Sequence, residues 1–292
     1  MRLAHLILVH NNPAQLERLV KRLICPATDI YIHLDKKCAI ADYIHLQELE
    51  NVFFIKARVR ITWGNFSVVR ATLNSMAEML NSGNQYSHIN LLSGADYPLK
   101  NAGTIQDFLF ANNNKSFMRY RHVYNEWNES RSRFTLYSLG DYNFPFKYSV
   151  QRLLNKFLEE RKLPNGLQPY GFSQWFTLTP ICVRYVIDYL EKNHRVKRFF
   201  RMTWGVDELI FQTILINSHL KDTIVNDHLR YIRFVRKASS PDTLTIADKE
   251  ILVRSGKFYA RKFRDDVDHV ILDYLDEVVE KQVPFRNVLG IT

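Results

Sequence analysis

Leu6 to Val9 form a short apolar run that stops at His10, Asn11, Asn12 and Pro13, after which Leu16, Leu19, Val20 and Leu23 recur at helical spacing. Asn12 is placed to cap that helix, and Pro13 suits its first turn. A second apolar run, Ile30 to Leu34, completes a strand–helix–strand unit of the kind that builds parallel sheets. Val52 to Ile55 predicts a third strand. ITWGNFSVVRATLNSMAEML predicts a loop and a long helix buried through Val69, Leu73, Met76, Ala77 and Leu80, and His88 to Leu92 a fourth strand. Thr104 followed by Asp107 reads as a capping box with Asp in place of the usual acid.

The later pattern is less regular. Arg119 to Arg133 is basic, aromatic and polar without a clean period, which predicts an irregular functional loop or lid. Val150 to Lys162 predicts a basic amphipathic helix, with Val150, Leu153, Leu154, Phe157 and Leu158 on one face. Such a face either packs on the core or lies on a membrane surface, and HRVKRFFR, His194 to Arg201, is a second segment open to the same two readings. Gly171 to Leu178 predicts a strand, and Thr179 with Pro180 the cap of a helix buried by Val183, Val186, Ile187 and Leu190.

From Trp204 to Ser218 the chain reads as a loop delivering a carboxylate into a helix. Asp207 and Glu208 open it, Leu209, Ile210, Thr213 and Ile214 form a buried stripe, and Glu208 shares the opposite face with Gln212. A carboxylate there also answers the helix dipole, so the position alone does not assign chemistry. LRYIRF follows as a short strand carrying Arg230 and Arg233, SPDTLTIADKEILVRSG as a capped helix closed by Gly256, and FYARKF brings Arg261 and Lys262 ahead of the last helix. There is no repeat, low-complexity tract or Gly/Ser linker. The expectation is one compact α/β domain over residues 1–292, its halves 1–115 and 116–292 sharing an interface.

Composition narrows this only slightly. A chain of 292 residues, 46% hydrophobic and 24% charged, buries a substantial core, and 13% aromatic residues suit sugar rings and cores alike. The net charge of +10 suggests an anionic partner: phosphate, a membrane surface, an acidic polymer or nucleic acid. Cys25, Cys38 and Cys182 form no CxxC pair and read as small core residues in a reducing compartment. The first strand is interrupted by His5 and makes a poor signal peptide, and no apolar run is long enough to span a bilayer. A cytosolic protein, or one peripheral on the inner face of the cytoplasmic membrane, is expected.

No GxGxxG, P-loop, HExxH or G-x-S-x-G motif is present, which disfavours dinucleotide oxidoreduction, P-loop phosphoryl transfer, zinc proteolysis and serine hydrolysis. In open α/β sheets ligands sit beyond the carboxyl ends of strands, where His10, Asp35, Ser93 and Asp96 fall; loop residues meeting water are the plainer alternative. A strand-rich first half with a late carboxylate and late basic residues fits sugar transfer from a nucleotide donor. That chemistry needs a base for the acceptor hydroxyl and positive charge for the departing diphosphate. The triplet Asp266, Val267, Asp268 has the form of a metal-binding DxD but introduces the last helix, where capping accounts for it. At the strand end where a metal is expected the chain has Ser93, Gly94, Ala95 and a single carboxylate, Asp96, which is poor for a divalent ion.

LVH and HLDKK near the start, TWGNFSVVRATLNSM, INLLSGADYPLK, GFSQWFTLTPICVRYV, VDELIFQTIL and the closing FYARKF followed by DVD, taken in this order, resemble glycosyltransferase family 14. That family comprises the core 2/I-branching β-1,6-N-acetylglucosaminyltransferases and peptide O-xylosyltransferases. The resemblance implies a glycosyltransferase-A fold, a Rossmann-like mixed sheet flanked by helices, with an inverting mechanism that needs no metal and no cofactor beyond a UDP-sugar co-substrate. Glu208 matches the family's catalytic base, Lys262 the lysine on the donor diphosphate, and Arg230, or else Arg233, its arginine partner. The nucleotide is expected against Val9, His10 and Asp35. Ser93, Asp96, Asp207 and Trp175 are expected to face the donor or acceptor sugar, with Trp175 as an aromatic platform. Glu126, Glu129 and Arg131 are acceptor-side candidates.

The animal members of that family carry a membrane anchor, a stem and many cysteines, so this chain resembles a compact bacterial member. The expected donor is UDP-GlcNAc, with UDP-xylose as the alternative. The expected acceptor is a saccharide hydroxyl on a surface polysaccharide or lipid-linked glycan, with peripheral contact to anionic membrane and no nucleic acid. The rival reading from another class is a non-catalytic binder of anionic polymer, nucleic acid or membrane.

Overall fold

A computed structural model describes residues 1–234 and 240–282. The expected domain half 116–292 therefore includes two stretches, 235–239 and 283–292, that lie outside the described residues. The opening unit forms as the pattern predicts: β1 (Arg2–Val9), α1 (Pro13–Leu23), β2 (Thr28–Leu34). The Asn12 side chain accepts from Gln15 N at 3.1 Å, with Pro13 in the first turn. β3 (Val52–Phe54), α2 (Phe66–Leu80), β4 (Tyr86–Ser93), β5 (Asp96–Pro98) and α3 (Ala102–Ala111) follow. The inward face of α2 is rotated from the expected one: Val69 and Met76 are buried, but Leu73, Ala77 and Leu80 only partly, and Val68, Ala71, Thr72 and Met79 carry the rest. Thr104 is not a cap. Asn101 holds that position and accepts from Thr104 N at 2.7 Å, one turn earlier than the sequence suggested.

The second half contributes β6 (Ser116–His122), α4 (Val123–Glu126), α5 (Arg131–Thr135), α6 (Lys147–Phe157), β7 (Tyr170–Leu178), α7 (Pro180–Lys192), α8 (His194–Arg201), α9 (Ile210–Ile216), β8 (Ile224–Val225), β9 (Arg230–Ile232), α10 (Lys249–Arg254), β10 (Tyr259–Arg261) and α11 (Val270–Glu280). The segment expected to be an irregular loop thus begins as a strand; Tyr120 to His122 pair with β7, after a register shift at Arg119. Thr179 stands at the cap position of α7, but its hydroxyl bonds Ser116 Oγ at 3.1 Å instead of the helix. Thr245 and Asp248 form a true capping box ahead of α10. All three cysteines are free, and only Cys182 is buried.

Seven strands form one mixed sheet in the order β3-β2-β1-β4-β7-β6-β8. β1 runs parallel to β2 and β4, whereas β7 pairs antiparallel with both β4 and β6. Alternation along β1 feeds two cores: Ala4, Leu6 and Leu8 face α2, α7, α8 and α9, and Leu3, Ile7 and Val9 face α1, α3 and α11. The result is a mixed α/β domain with helices on both faces of the sheet. A second sheet, β5-β10-β9, crosses the carboxyl end of β4 and sets Arg261 opposite Asp96 and beside Ile232.

The two basic amphipathic segments, each open to core packing or a membrane surface, differ in the structure. α8 buries Val196, Phe199 and Phe200, so HRVKRFFR keeps no apolar face for a membrane. α6 buries none of its residues.

Candidate active site

The carboxyl ends of β1, β2 and β4 meet at one edge. Asp35 N donates to Val9 O at 2.8 Å and Gly94 N to Leu8 O at 3.1 Å, so Val9, Asp35 and the Ser93–Asp96 turn are neighbours. His10 is exposed at that edge, and its carbonyl accepts from Cys38 Sγ at 3.1 Å. Asp35 is buried, with one oxygen accepting from Lys37 N at 2.9 Å and the other from Ile61 N at 3.3 Å. Its carboxylate organises this loop and is covered by it.

The Ser93–Asp96 turn is locked internally: Asp96 Oδ2 accepts from Ser93 N at 2.7 Å and from Ser93 Oγ at 2.5 Å. Asp96 is fully buried, and its other oxygen lies 3.6 Å from Arg261 Nε. Asp96 is thus a strut of the turn and does not face an open sugar site. Nor does Trp175 offer a free platform, being buried with the Arg261 guanidinium 4.1 Å above its ring.

Arg230, expected beside a diphosphate, is 2% exposed and points into the sheet. It donates to Asn90 Oδ1, to Leu91 O at 2.8 Å, to Phe176 O at 3.2 Å and to the carbonyl of His228. Burial lowers its pKa to about 10. The geometry gives Arg230 to the frame. Arg233 lies outside that frame and is paired to Asp242 at 2.9 Å and to Asp248.

Arg261 is the cation that the sequence reading placed but did not assign. Its side chain is largely buried and makes no hydrogen bond among the described residues, and burial lowers its pKa while Asp96, Glu208 and Asp207 raise it. A buried guanidinium with unspent donors is costly unless an anion completes it. Lys262 follows directly, with its ammonium on Ser240 Oγ at 3.3 Å. Gln15 is a further positioning residue that motif reading missed. Its amide joins Gly94 O at 2.9 Å, Phe263 O at 3.2 Å and Asp265 N at 3.0 Å, tying the two turns that carry Asp96 and Lys262. The available signal was a polar residue beside the apolar stripe of α1.

Glu208 closes a short 3-10 turn, Val206–Glu208, before α9, and does not share a helical face with Gln212, which is buried and donates to Ser173 O at 2.5 Å. The turn fits because Gly171 of β7 has no side chain: a Cβ there would sit 2.6 Å from Glu208 O and 2.5 Å from Leu209 Cδ2. The Glu208 carboxylate is 33% exposed and accepts from Arg133 Nη1 at 2.5 Å. Asp207 beside it is buried, and desolvation, followed by the Glu208 charge, pushes its pKa up to about 7.

Arg133 also lines a cavity of about 490 Å³ with Thr62, Trp63, Tyr148 and Trp204. Trp63 and Trp204 meet edge to face at 5.6 Å and are 64% and 40% exposed, so the open aromatic faces are these and not Trp175. Gly205, at φ +64°, leaves room for Arg133, whose Nη1 would lie 2.9 Å from a Cβ. Among the acceptor-side candidates, Glu126 accepts from His122 N at 2.7 Å and Arg131 pairs with Glu160 at 3.2 Å. Glu129 is exposed on the turn between α4 and α5. None of the three lines the cavity. Asp268 accepts from Ile271 N at 3.2 Å at the start of α11, and Asp266 pairs with Arg264, as capping and surface roles require.

Known proteins share this chain's pattern over most of its length. Human xylosyltransferase 2 is 29% identical over 308 aligned positions, covering 94% of this chain and 33% of that protein. Rat xylosyltransferase 1 is 27% identical over 97% of this chain and 36% of that protein. The xylosyltransferase oxt of Drosophila pseudoobscura is 27% identical over 95% of this chain. The chain spans about a third of the length of these relatives. A bifunctional glycosyltransferase, WbbM, solved in its apo form, aligns with 96% of this chain and 52% of its own at 12% identity and a TM-score of 0.40. The family model described as Core-2/I-Branching enzyme matches residues 3–252, and the chain belongs to that family of glycosyltransferases.

Proposed function

We propose that this chain is an inverting glycosyltransferase of the glycosyltransferase-A type that moves a sugar from a UDP-sugar to a saccharide hydroxyl. Glu208 takes the acceptor proton, the resulting oxygen attacks the anomeric carbon, and the bond from that carbon to the diphosphate oxygen breaks with inversion. The charge left on UDP meets Arg261 and Lys262. The observation that carries this reading is a part-exposed carboxylate, Glu208, held at the margin of the aromatic cavity by Arg133, together with a largely buried guanidinium, Arg261, which faces Asp96 at 3.6 Å but makes no hydrogen bond among the described residues. Arg261 thus takes the part that the sequence reading gave to Arg230.

A divalent ion does not fit the turn where one is expected. Asp96 is the single carboxylate there, one oxygen is held by Ser93 and the other faces Arg261. Positive side chains are the proposed substitute. The nucleotide is proposed to lie along the edge formed by Val9, His10 and the Asp35 loop. The cavity walled by Trp63, Trp204 and Tyr148 suits a sugar ring and is the proposed acceptor site. UDP-GlcNAc and UDP-xylose are the two candidate donors. The first follows from the branching enzymes, the second is favoured by the names of the relatives. The proposed acceptor is a lipid-linked or surface saccharide, used at the inner face of the cytoplasmic membrane.

Release of UDP from each donor, in EDTA and with manganese, tests this. Glu208→Gln is expected to lower turnover by about 10²- to 10⁴-fold while UDP binding persists. A Gln variant with ordinary turnover overturns the base assignment, and turnover that EDTA abolishes overturns the metal-free mechanism.

A further inference from the structure

α6 is an amphipathic helix mounted with its polar side inward. Gln151 Oε1 accepts from Leu139 N at 2.7 Å, while Asn155 accepts from Tyr137 N at 2.7 Å and donates to Tyr137 O at 3.0 Å. Those two residues and Tyr148 also wall the aromatic cavity. Val150, Leu153 and Phe157, spaced to share one face, are left in solvent, Leu153 at 54% and Phe157 at 72% exposure. Phe146 precedes them at 81%, with Phe144 and Leu158 also exposed. Arg152 and Lys156 are exposed beside this stripe, and Arg201 of α8 reaches over Tyr142, 5.5 Å from its ring. Glu159 and Glu160 follow the helix, the latter paired with Arg131 at 3.2 Å.

We propose that α6 seats on an anionic lipid bilayer, placing Phe146, Val150, Leu153 and Phe157 among acyl chains and Arg152 and Lys156 at lipid phosphates. Apolar side chains flanked by cations on one exposed helix are what an interfacial helix requires. No described helix is long and apolar enough to cross a membrane, so this contact is lateral. A second copy is disfavoured as the occupant, because a two-fold interface would bring the same basic stripe against itself in a chain of net charge +10. One side of α6 walls the cavity and the other meets lipid, which holds the cavity within about one helix diameter, ~10 Å, of the bilayer surface. Resting on the transferase reading, this assigns the acceptor as a saccharide carried on a membrane lipid.

The test is co-flotation of the full chain with vesicles of phosphatidylcholine, with and without phosphatidylglycerol, beside UDP release into water without vesicles. Wild type is expected to float only with the anionic vesicles. Leu153→Glu/Phe157→Glu is expected to weaken that binding at least about tenfold with vesicle-free UDP release unchanged, and Arg152→Glu/Lys156→Glu to weaken it in proportion to anionic lipid content. The proposal is overturned if wild type stays unbound at low ionic strength. It is equally overturned if the Leu153/Phe157 variant binds like wild type, or if light scattering shows a wild-type dimer that this variant dissociates. Flotation as expected with no UDP release from any donor leaves the lipid face standing and removes the transferase reading.

Discussion

Arg133 donates to the Glu208 carboxylate at 2.5 Å while its guanidinium stands 5.0 Å from the rings of both Trp127 and Trp204. The aromatic pair fixes the cation, and the cation fixes the carboxylate at the cavity margin. Arg133→Ala is expected to lower kcat and raise the acceptor KM, about 10- to 100-fold in kcat/KM, with donor affinity unchanged. Arg133→Lys keeps the charge without the planar fork and should recover only part. Steady-state kinetics with saturating donor decide it; unchanged acceptor kinetics in the Ala variant remove Arg133 from the site.

Arg230 and Arg261 should respond oppositely. Arg230→Ala takes a buried donor from the carbonyls of Leu91 and Phe176 and leaves the Asn90 amide oxygen with Thr177 alone, at a cost of about 1 to 3 kcal/mol, read as a lowered Tm. Arg261→Ala leaves Asp96 without its facing cation, but its main effect should be on UDP affinity and turnover. Calorimetric titration with UDP and a thermal melt on both variants separate these roles. Equal loss of UDP affinity in the two would contradict the division.

Asp207 carries a pH signature. With a folded pKa of about 7 against an ordinary 3.8, the folded state holds the proton more tightly than the unfolded one. Ionisation therefore costs stability, which is greatest below the ordinary pKa, falls as pH rises between the two values, and levels off above about 7. Asp207→Asn removes this fall. Melts at about pH 5 and about pH 8 should show wild type losing more Tm than the variant across that interval. Parallel losses would place the Asp207 pKa elsewhere.

Gly171→Ala is a steric probe of the base from behind. Its Cβ would meet Glu208 O at 2.6 Å and the Leu209 side chain at 2.5 Å, and the first contact is backbone. A destabilisation of about 1 to 3 kcal/mol is expected, together with loss of turnover at temperatures where the variant remains folded. Full turnover in a folded variant would show that the Glu208 turn tolerates displacement.

The parallel half of the sheet was legible because buried strands β1, β2 and β4 are near-continuous apolar runs, and because Asn12–Pro13 has a local capping chemistry. The three-residue strands β9 and β10 were not legible in the same sense. Too short for alternation to reveal which side faces in, they left Arg230 and Arg261 indistinguishable by pattern, and only the pairing with β5 decides it. Trp175 looked like a sugar platform for the same reason, since a cation stacked on its ring is a tertiary fact. Arg133 went unassigned because its two aromatic supports come from segments far apart in the chain. The polarity of α6 was readable in sequence, but its direction was set by Gln151 and Asn155 bonding the backbone of 137–139.

Asn90 is the knot of the sheet. Its amide nitrogen meets His5 Nδ1 of β1 at 2.9 Å, and its oxygen takes the Thr177 hydroxyl of β7 at 2.8 Å as well as Arg230 of β9. Burial holds His5 at a pKa of about 3, so that contact stays neutral across the physiological range. Strands from both ends of the chain thus converge on one side chain in the middle of a continuous sheet. Hinged jaws that swing shut over a substrate are not available to such a framework; entry, exclusion of water and departure of UDP fall to the loops and side chains mounted on its rim.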